Sequence, residues 1–273
     1  MRAPGAAPRP IGVFDSGLGG LTVLRALFDL LPEEPAVYFG DTGRFPYGSK
    51  PPDDVLKYSV EIADVLVDRY DVKMLVVACN SATAAALEVL CAHVDVPVIG
   101  VIEPGVRAAA KVTRSGRVGV VGTVGTIASG AYQRVAHELD AGLELTCAAC
   151  PGFVEFVESG DIDSDQVHVL AERLLAPLHE ARVDTLVLGC THYPLLARTI
   201  SDVMGREVVL VSSADETAFA VRAMLQPGVL PGGPDRAAAP AHTFLTSGDR
   251  ETFRTLGVRF LGPEAETVTE WRW

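Results

Sequence analysis

The sequence predicts an α/β protein built from two similar lobes. Short β-branched runs alternate with longer Ala- and Leu-rich segments of helical character, the pattern of βα units around a parallel sheet. The two halves of the chain also echo each other, and 273 residues that are 48% apolar suffice for two cores. Each lobe is expected to be a mostly parallel sheet flanked by helices. The lobes are expected to be related by pseudo-two-fold symmetry, with the site between them.

Individual elements follow from local patterns. Helices are expected to start near Ser16, Asn80 and Thr191, because each of these follows directly on a strand and supplies an N-cap side chain. A Pro-, Gly- and Ala-rich stretch at 227–241 is expected to be a linker, and 242–249 begins a final strand unit that packs back onto the first lobe. The other strands are expected at 11–14, 36–39, 74–78, 96–102, 117–121, 185–189 and 208–211.

The internal repeat defines the lobes. Gly12 matches Gly119, and Cys79 matches Cys190 farther along the chain, with a third strand in the same order after each cysteine. A general likeness among α/β strands is the alternative explanation. The order of the matches favours a repeat, with one lobe at 1–103 and 213–273 that carries Cys79 and a second at 104–212 that carries Cys190.

Composition excludes several classes of function. The net charge is −12 and no run of Lys or Arg could follow a nucleic-acid backbone or an anionic membrane, so neither is an expected partner. Residues 1–10 lack the apolar run of a signal peptide, and no stretch approaches the roughly 20 apolar residues of a membrane span. We therefore expect a cytoplasmic protein. The five cysteines have no disulfide spacing and are expected to be reduced thiols.

Two of these cysteines carry the main functional prediction. Cys79 and Cys190 lie at predicted strand ends, where open α/β sheets bind ligands, and each precedes an expected helix N-terminus. Helix amide groups are expected to lower a thiol pKa below its free value of about 8.5. Taken alone, either cysteine could instead be a small residue of the hydrophobic core without a functional role. Because they occur as a matched pair on opposed lobes, they indicate an acid and a base on two faces of one substrate.

That arrangement suits inversion of a stereocentre without a cofactor or a metal. The α C–H of an amino acid is far less acidic than a thiol, and each pKa unit of mismatch adds about 1.4 kcal/mol to the step. The site must therefore stabilise the carbanion by electrostatics and hydrogen bonds. The CxxC formed by Cys147 and Cys150 is not read as a zinc or redox site, because a second ligand pair at metal spacing is missing.

Other polar residues at strand ends are candidate helpers. Asp15 ends the first strand, with a helix cap as the alternative, and Asp41 precedes a turn-rich loop, with a surface carboxylate as the alternative. His192 could trade its proton with Cys190 or could be a satisfied polar residue at a helix start. Hydroxyl and amide groups suited to a zwitterion, each of which could also be only a cap, are those of Ser16, Asn80, Ser81, Thr123, Thr126 and Thr191.

Five ordered motifs resemble the glutamate racemase family of the aspartate/glutamate racemase superfamily. The similarity runs from about residue 11 to 218 and includes the tail TFLTSGD. It implies a two-base reaction, free of metal and pyridoxal phosphate, that supplies D-glutamate for peptidoglycan and thereby for cell shape. We also expect a homodimer. The motifs are DSGLGGL (15–21), YFGDTGRFPYGSK (38–50), ACNSATAAA (78–86), GTVGTI (122–127) and LGCTHYPLL (188–196).

The resemblance also implies roles for residues. Cys79 would deprotonate D-glutamate with help from Asp15, and Cys190 would deprotonate L-glutamate with help from His192, while Glu158 would be the acid of the second lobe. Positions 81 and 155 depart from the family, with Ser for the usual Thr and Glu for the usual Pro; the second departure weakens the assignment of Glu158. The matching substrate-binding positions are Asp15, Ser16, Tyr47, Gly48, Asn80, Ser81, Thr191 and His192.

Other functions fit parts of the pattern. A racemase of aspartate or another amino acid would use the same two thiols, whereas a decarboxylase of the superfamily would need only one. A non-catalytic two-lobed protein that closes on an acidic ligand would use the hydroxyls but leave the cysteine pair without purpose. A pyridoxal-dependent racemase is disfavoured, because no lysine lies plainly in a phosphate cradle.

Overall fold

The computed structural model describes residues 8–139, 142–225 and 241–273. Ten strands in these ranges form two sheets, and within the same ranges no helix is long and apolar enough to cross a membrane. The strands are β1 (Ile11–Asp15), β2 (Ala36–Gly40), β3 (Met74–Val77), β4 (Val98–Gly100), β5 (Arg117–Gly122), β6 (Glu144–Ala149), β7 (Thr185–Gly189), β8 (Val209–Ser212), β9 (Thr243–Thr246) and β10 (Thr269–Glu270).

Helices follow most of the strands and cover the sheets. The described residues contain α1 (Leu21–Leu30), α2 (Pro52–Asp64), α3 (Asn80–His93), α4 (Ile102–Val112), α5 (Val124–Ala128), α6 (Ala131–Leu139), α7 (Phe153–Ser159), α8 (Asp165–Glu180), α9 (Ala197–Met204), α10 (Ser213–Met224) and α11 (Arg250–Leu261).

The two sheets share one topology. The first has the order β10-β9-β2-β1-β3-β4 and the second the order β6-β5-β7-β8, and every strand pair is parallel. The order β2-β1-β3-β4 therefore recurs as β6-β5-β7-β8, so the strands matched by the internal repeat occupy equivalent places. The α/β class and the two mostly parallel sheets agree with the sequence expectation.

Burial explains why these segments form strands. All residues of β1, β2, β3 and β7 are buried, as expected for parallel strands covered by helices on both faces. β9 pairs with β2, and β10 pairs with β9, so the end of the chain extends the first sheet as expected. The predicted linker at 227–241 lies outside the described residues except for its last position. The predicted lobe boundaries remain a prediction.

The helix start predicted near Ser16 is wrong, and the one predicted near Thr191 begins as a 3₁₀ helix at Tyr193; both segments lie beside the cavity described below. α3 begins at Asn80 as expected, but α1 begins at Leu21 rather than near Ser16, because the Asp15 carboxylate accepts the Gly17 amide and holds the intervening turn. After β7 the chain makes a short 3₁₀ turn, and α9 starts only at Ala197. The connection from β1 to α1 is thus a loop that faces the second lobe, and the connection from β7 to α9 is a loop that faces the first lobe.

Candidate active site

A small cavity lies between the carboxyl ends of the two sheets. Its wall is built by the loops that follow β1, β2, β3, β5 and β7, together with one side chain from α7. Both Cys79 and Cys190 lie in this wall, so the structure brings the matched cysteines to one cavity. The lining residues are Ser16, Phe45, Pro46, Tyr47, Gly48, Cys79, Asn80, Ser81, Thr123, Val154, Cys190, Thr191 and His192.

The lobes approach each other closely at this cavity. Gly19 lies against Thr191 and His192, and a Cβ atom at Gly19 would overlap both side chains. Gly48 likewise leaves no room for a Cβ atom against Thr123. Because both pairs join a first-sheet loop to a second-sheet loop, glycine is required at these positions for the walls to meet.

Cys79 is a buried thiol at the start of α3. Its Sγ caps the helix by accepting the Ala82 amide at 3.4 Å, and its thiol donates to Ser16 Oγ at 3.8 Å. Burial, together with the nearby Asp15 carboxylate, raises the pKa of Cys79 to about 12, although the hydrogen bonds with Ala82 and Ser16 act in the opposite direction. The expectation of a lowered pKa is therefore wrong for Cys79, because desolvation outweighs the helix N-terminus. The resting group is the neutral thiol.

Asp15 lies behind the cavity wall and joins the two lobes. Its side chain is fully buried; Oδ2 accepts the Gly17 amide at 2.9 Å, and Oδ1 accepts the Thr191 hydroxyl at 3.4 Å. Burial raises the pKa of Asp15 despite these hydrogen bonds and the nearby charge of His192. Asp15 does not line the cavity, but its carboxylate raises the pKa of two lining residues, Cys79 and His192.

His192 links Cys190 to Glu158. Its Nδ1 lies 3.9 Å from Cys190 Sγ, and its Nε2 lies 3.3 Å from Glu158 Oε1. Phe45 and Phe260 flank the ring at centroid distances of 6.0 and 5.8 Å. Burial alone would lower the pKa of His192, but the hydrogen bonds to Cys190 and Glu158 outweigh it and raise the pKa to about 10. At neutral pH the group beside Cys190 is therefore an imidazolium.

This raised pKa predicts a pH-dependent stability. An unfolded histidine has a pKa of about 6.5, so the folded state binds the His192 proton more tightly and is stabilised by it fully below that value. The contribution is lost as pH rises through the folded pKa of about 10. We expect the free energy of unfolding of wild type, relative to His192→Asn, to fall by at most about 1.4 kcal/mol per pH unit between pH 7 and 10. Urea unfolding at several pH values measures this; parallel pH profiles would contradict it.

Hydroxyl and amide groups cover the floor between the two cysteines. The hydroxyls of Ser81, Thr123 and Thr126 form a triangle with sides of 3.0, 3.1 and 3.0 Å, in which Thr126 is the buried member behind the lining. Asn80 Oδ1 accepts the Tyr132 hydroxyl at 2.7 Å. Asn80 Nδ2 is buried without a hydrogen-bond partner among the described residues, which leaves a donor free for a ligand carboxylate.

Asp41 does not reach the cavity. Its carboxylate accepts the hydroxyl of Tyr47, the hydroxyl of Ser247 at 2.5 Å and Nε of Arg44 at 2.7 Å, so its oxygens are already occupied. Tyr47 and Gly48 do lie in the wall. The structure therefore brings together every predicted site residue except Asp15, Asp41, Thr126 and Glu158, which stand directly behind the lining residues.

Sequence reasoning missed several residues of the site. Phe45, Pro46 and Val154 line the cavity, and Phe260 packs on His192 from α11. The position of Pro46 between Phe45 and Tyr47 in a turn-rich loop was the available signal for the first two. Phe260 carried no such signal, because its contact joins segments far apart in the sequence.

Comparison with known proteins identifies the family. The family described as Asp/Glu/hydantoin racemase matches residues 11–221. A glutamate racemase of Geobacter metallireducens is 51% identical over 93% of this chain and 93% of its own, and one of Mycobacterium avium is 50% identical over 96% of each.

Solved structures give the same result. A glutamate racemase isoform of Bacillus anthracis is 42% identical, with a TM-score of 0.89 over 97% of each chain. The glutamate racemase of Francisella tularensis, in complex with D-glutamate, is 32% identical, with a TM-score of 0.88 over 96% of this chain and 97% of its own. The chain therefore belongs to the Asp/Glu/hydantoin racemase family, among its glutamate racemases.

Proposed function

We propose that this chain interconverts L-glutamate and D-glutamate by passing the α-proton between Cys79 and Cys190. The observation that carries the proposal is the placement of both thiols, from equivalent strands of the two sheets, in the wall of one cavity. Relatives about half identical to this chain bear the name glutamate racemase, and the related structure from Francisella tularensis holds D-glutamate. The D-glutamate formed would be used for peptidoglycan. The chain would act in the cytoplasm and as a homodimer.

Each direction uses one thiolate and one thiol. With L-glutamate, the Cys190 thiolate takes the α-proton, and the electron pair remains on a carbanion that the substrate's α-carboxylate stabilises. The Cys79 thiol then donates a proton to the opposite face of that carbon. With D-glutamate the two cysteines exchange roles. Cys79 is suited to donate because its pKa of about 12 keeps it protonated, and the His192 imidazolium stabilises negative charge on Cys190. No metal or pyridoxal phosphate takes part in these steps.

The polar wall would bind the rest of the substrate. The free Nδ2 of Asn80 would donate to a carboxylate, together with the hydroxyls of Ser81 and Thr123. Ser16 and Thr191 lie on the two sides of the cavity, next to Asp15 and the cysteines. Fixed donors of this kind favour a carbanion whose charge spreads onto the carboxylate, since they need no reorganisation during the reaction.

Deuterium exchange tests the proposal. Protein that has been treated with a chelator and shows no visible absorption band of pyridoxal phosphate is incubated in D₂O with L-glutamate or L-aspartate. The enantiomers are then separated and the mass of each is measured by mass spectrometry. We expect both glutamate enantiomers to appear with one α-deuteron. Exchange confined to aspartate would show that aspartate, and not glutamate, is the substrate. Saturable binding of glutamate without exchange at any pH would show that the chain is a binding protein.

A further inference from the structure

The guanidinium of Arg44 contacts two aromatic rings beside the cavity loop. Its guanidinium carbon lies 4.2 Å from the ring centroid of Tyr58 and 3.8 Å from that of Trp273, on α2 and at the end of the chain. The guanidinium also pairs with Asp41 and Glu61. Arg44 is largely buried but does not line the cavity, so these contacts hold the loop rather than touch a substrate.

Asp41 connects Arg44 to the cavity wall. The same carboxylate that accepts Arg44 Nε also accepts the hydroxyl of Tyr47, and Ser247 holds its other oxygen. Asp41 is fully buried, and a buried carboxylate that loses a paired cation or a hydrogen-bond donor is strongly destabilised. Tyr47 lies in the cavity wall, so the position of its ring depends on a carboxylate that Arg44 orients.

The end of the chain completes this arrangement. Trp273 lies 5.5 Å from Phe39 of β2, and the Trp271 amide donates to Thr246 at the end of β9 at 2.7 Å. Trp273 is nonetheless 51% exposed, so it adds little to the core. Its ring contacts the Arg44 guanidinium. The Trp273 ring is therefore held by Phe39 and Trp271 at a place where it also contacts the Arg44 guanidinium that orients Asp41.

We propose that Arg44 is a positioning residue, clamped by Trp273, that acts through Asp41 to hold Tyr47 in the cavity wall. Only arginine has the planar fork that can bridge two carboxylates while it stacks on aromatic rings; lysine keeps the charge but loses the geometry. The proposal deepens the proposed function and rests on it. Because the wall contacts both enantiomers alike, a displaced Tyr47 should weaken substrate binding more than proton transfer.

Kinetics of four variants in the full chain test this. We expect Arg44→Lys and Trp273→Ala to raise KM for both glutamate enantiomers by about 3- to 10-fold with kcat changed less than about 2-fold, and Trp273→Phe to restore the wild-type KM. Phe219→Ala is the matched control, since Phe219 is also an exposed aromatic ring, 5.1 Å from an arginine carbon, on a helix outside the cavity wall. Its kinetic constants should equal those of wild type.

Double variants separate positioning from general stability. If Arg44 acts through Tyr47, Arg44→Lys should change KM less than about 2-fold in a Tyr47→Phe background, where the hydrogen bond to Asp41 is already absent. If Arg44→Lys raises KM by the same factor in the Tyr47→Phe background as in wild type, the proposal is overturned. A Trp273→Ala variant with wild-type KM would also overturn it. Loss of kcat in step with a lowered melting temperature would show a purely structural role. A wild-type chain that does not racemise glutamate would instead reject the proposed function.

Discussion

Serine in place of either Cys79 or Cys190 should lower kcat/KM for glutamate by about 10³-fold or more, since positioned acid–base groups contribute about 10²- to 10⁴-fold and a serine hydroxyl is too weak an acid and base to replace a thiol. The loss should be equal in both directions, because the two enantiomers have the same free energy in water. Circular dichroism of each reaction measures the two rates.

Isotope exchange then assigns each thiol to one face. Cys79→Ser retains the base for L-glutamate, so we expect residual α-deuteration of L-glutamate without inversion, and the converse for Cys190→Ser with D-glutamate. Cys91→Ser is the matched control, since Cys91 is exposed on α3 away from the cavity. Wild-type racemisation in either serine variant would reject the two-thiol mechanism, and activity that needs only one cysteine would favour one-base chemistry.

Asp15→Asn should lower kcat about 10²-fold in both directions, because the change removes a buried negative charge that acts on both halves of the site. The Asp15 carboxylate raises the pKa of Cys79 and so makes its thiolate a stronger base, and it also favours the protonated form of His192. Asparagine keeps the shape but has a single acceptor oxygen, so it can accept only one of the two hydrogen bonds, from the Gly17 amide or from the Thr191 hydroxyl. Initial rates with each enantiomer at saturating substrate measure the effect.

Asp184→Asn provides the matched control. Asp184 precedes β7 at the opposite end of the sheet from the cavity, where its carboxylate accepts the hydroxyl of Thr113 and the amides of Arg114 and Ser115. Those hydrogen bonds keep its pKa well below the usual range, so the substitution should lower the melting temperature and leave kcat unchanged. Equal losses of kcat in the two aspartate variants would mean that Asp15 acts only through stability.

Much of the architecture could be predicted from local patterns. Buried β-branched runs and their alternation with helices identified the α/β class, and the repeat of Gly12 at Gly119 and of Cys79 at Cys190 anticipated two sheets of one topology. The errors were local. The start of α1 depends on the hydrogen bond from the Gly17 amide to Asp15, and the pKa of Cys79 depends on the burial of the thiol. Neither property can be read from strand or helix periodicity.

The sequence by itself determined the fold class, the paired cysteines and the polar residues at the strand ends, because hydrophobic period and residue type are local properties. Only the tertiary structure decided which of these residues line the cavity and which stand behind it. Asp41 does not line the cavity because Arg44, Tyr47 and Ser247 donate hydrogen bonds to its carboxylate. Phe260, on a helix distant in sequence, packs against His192. The contacts of Ser247 and Phe260 join segments far apart in the sequence, and the contact of Phe260 with His192 exists only once both lobes have packed.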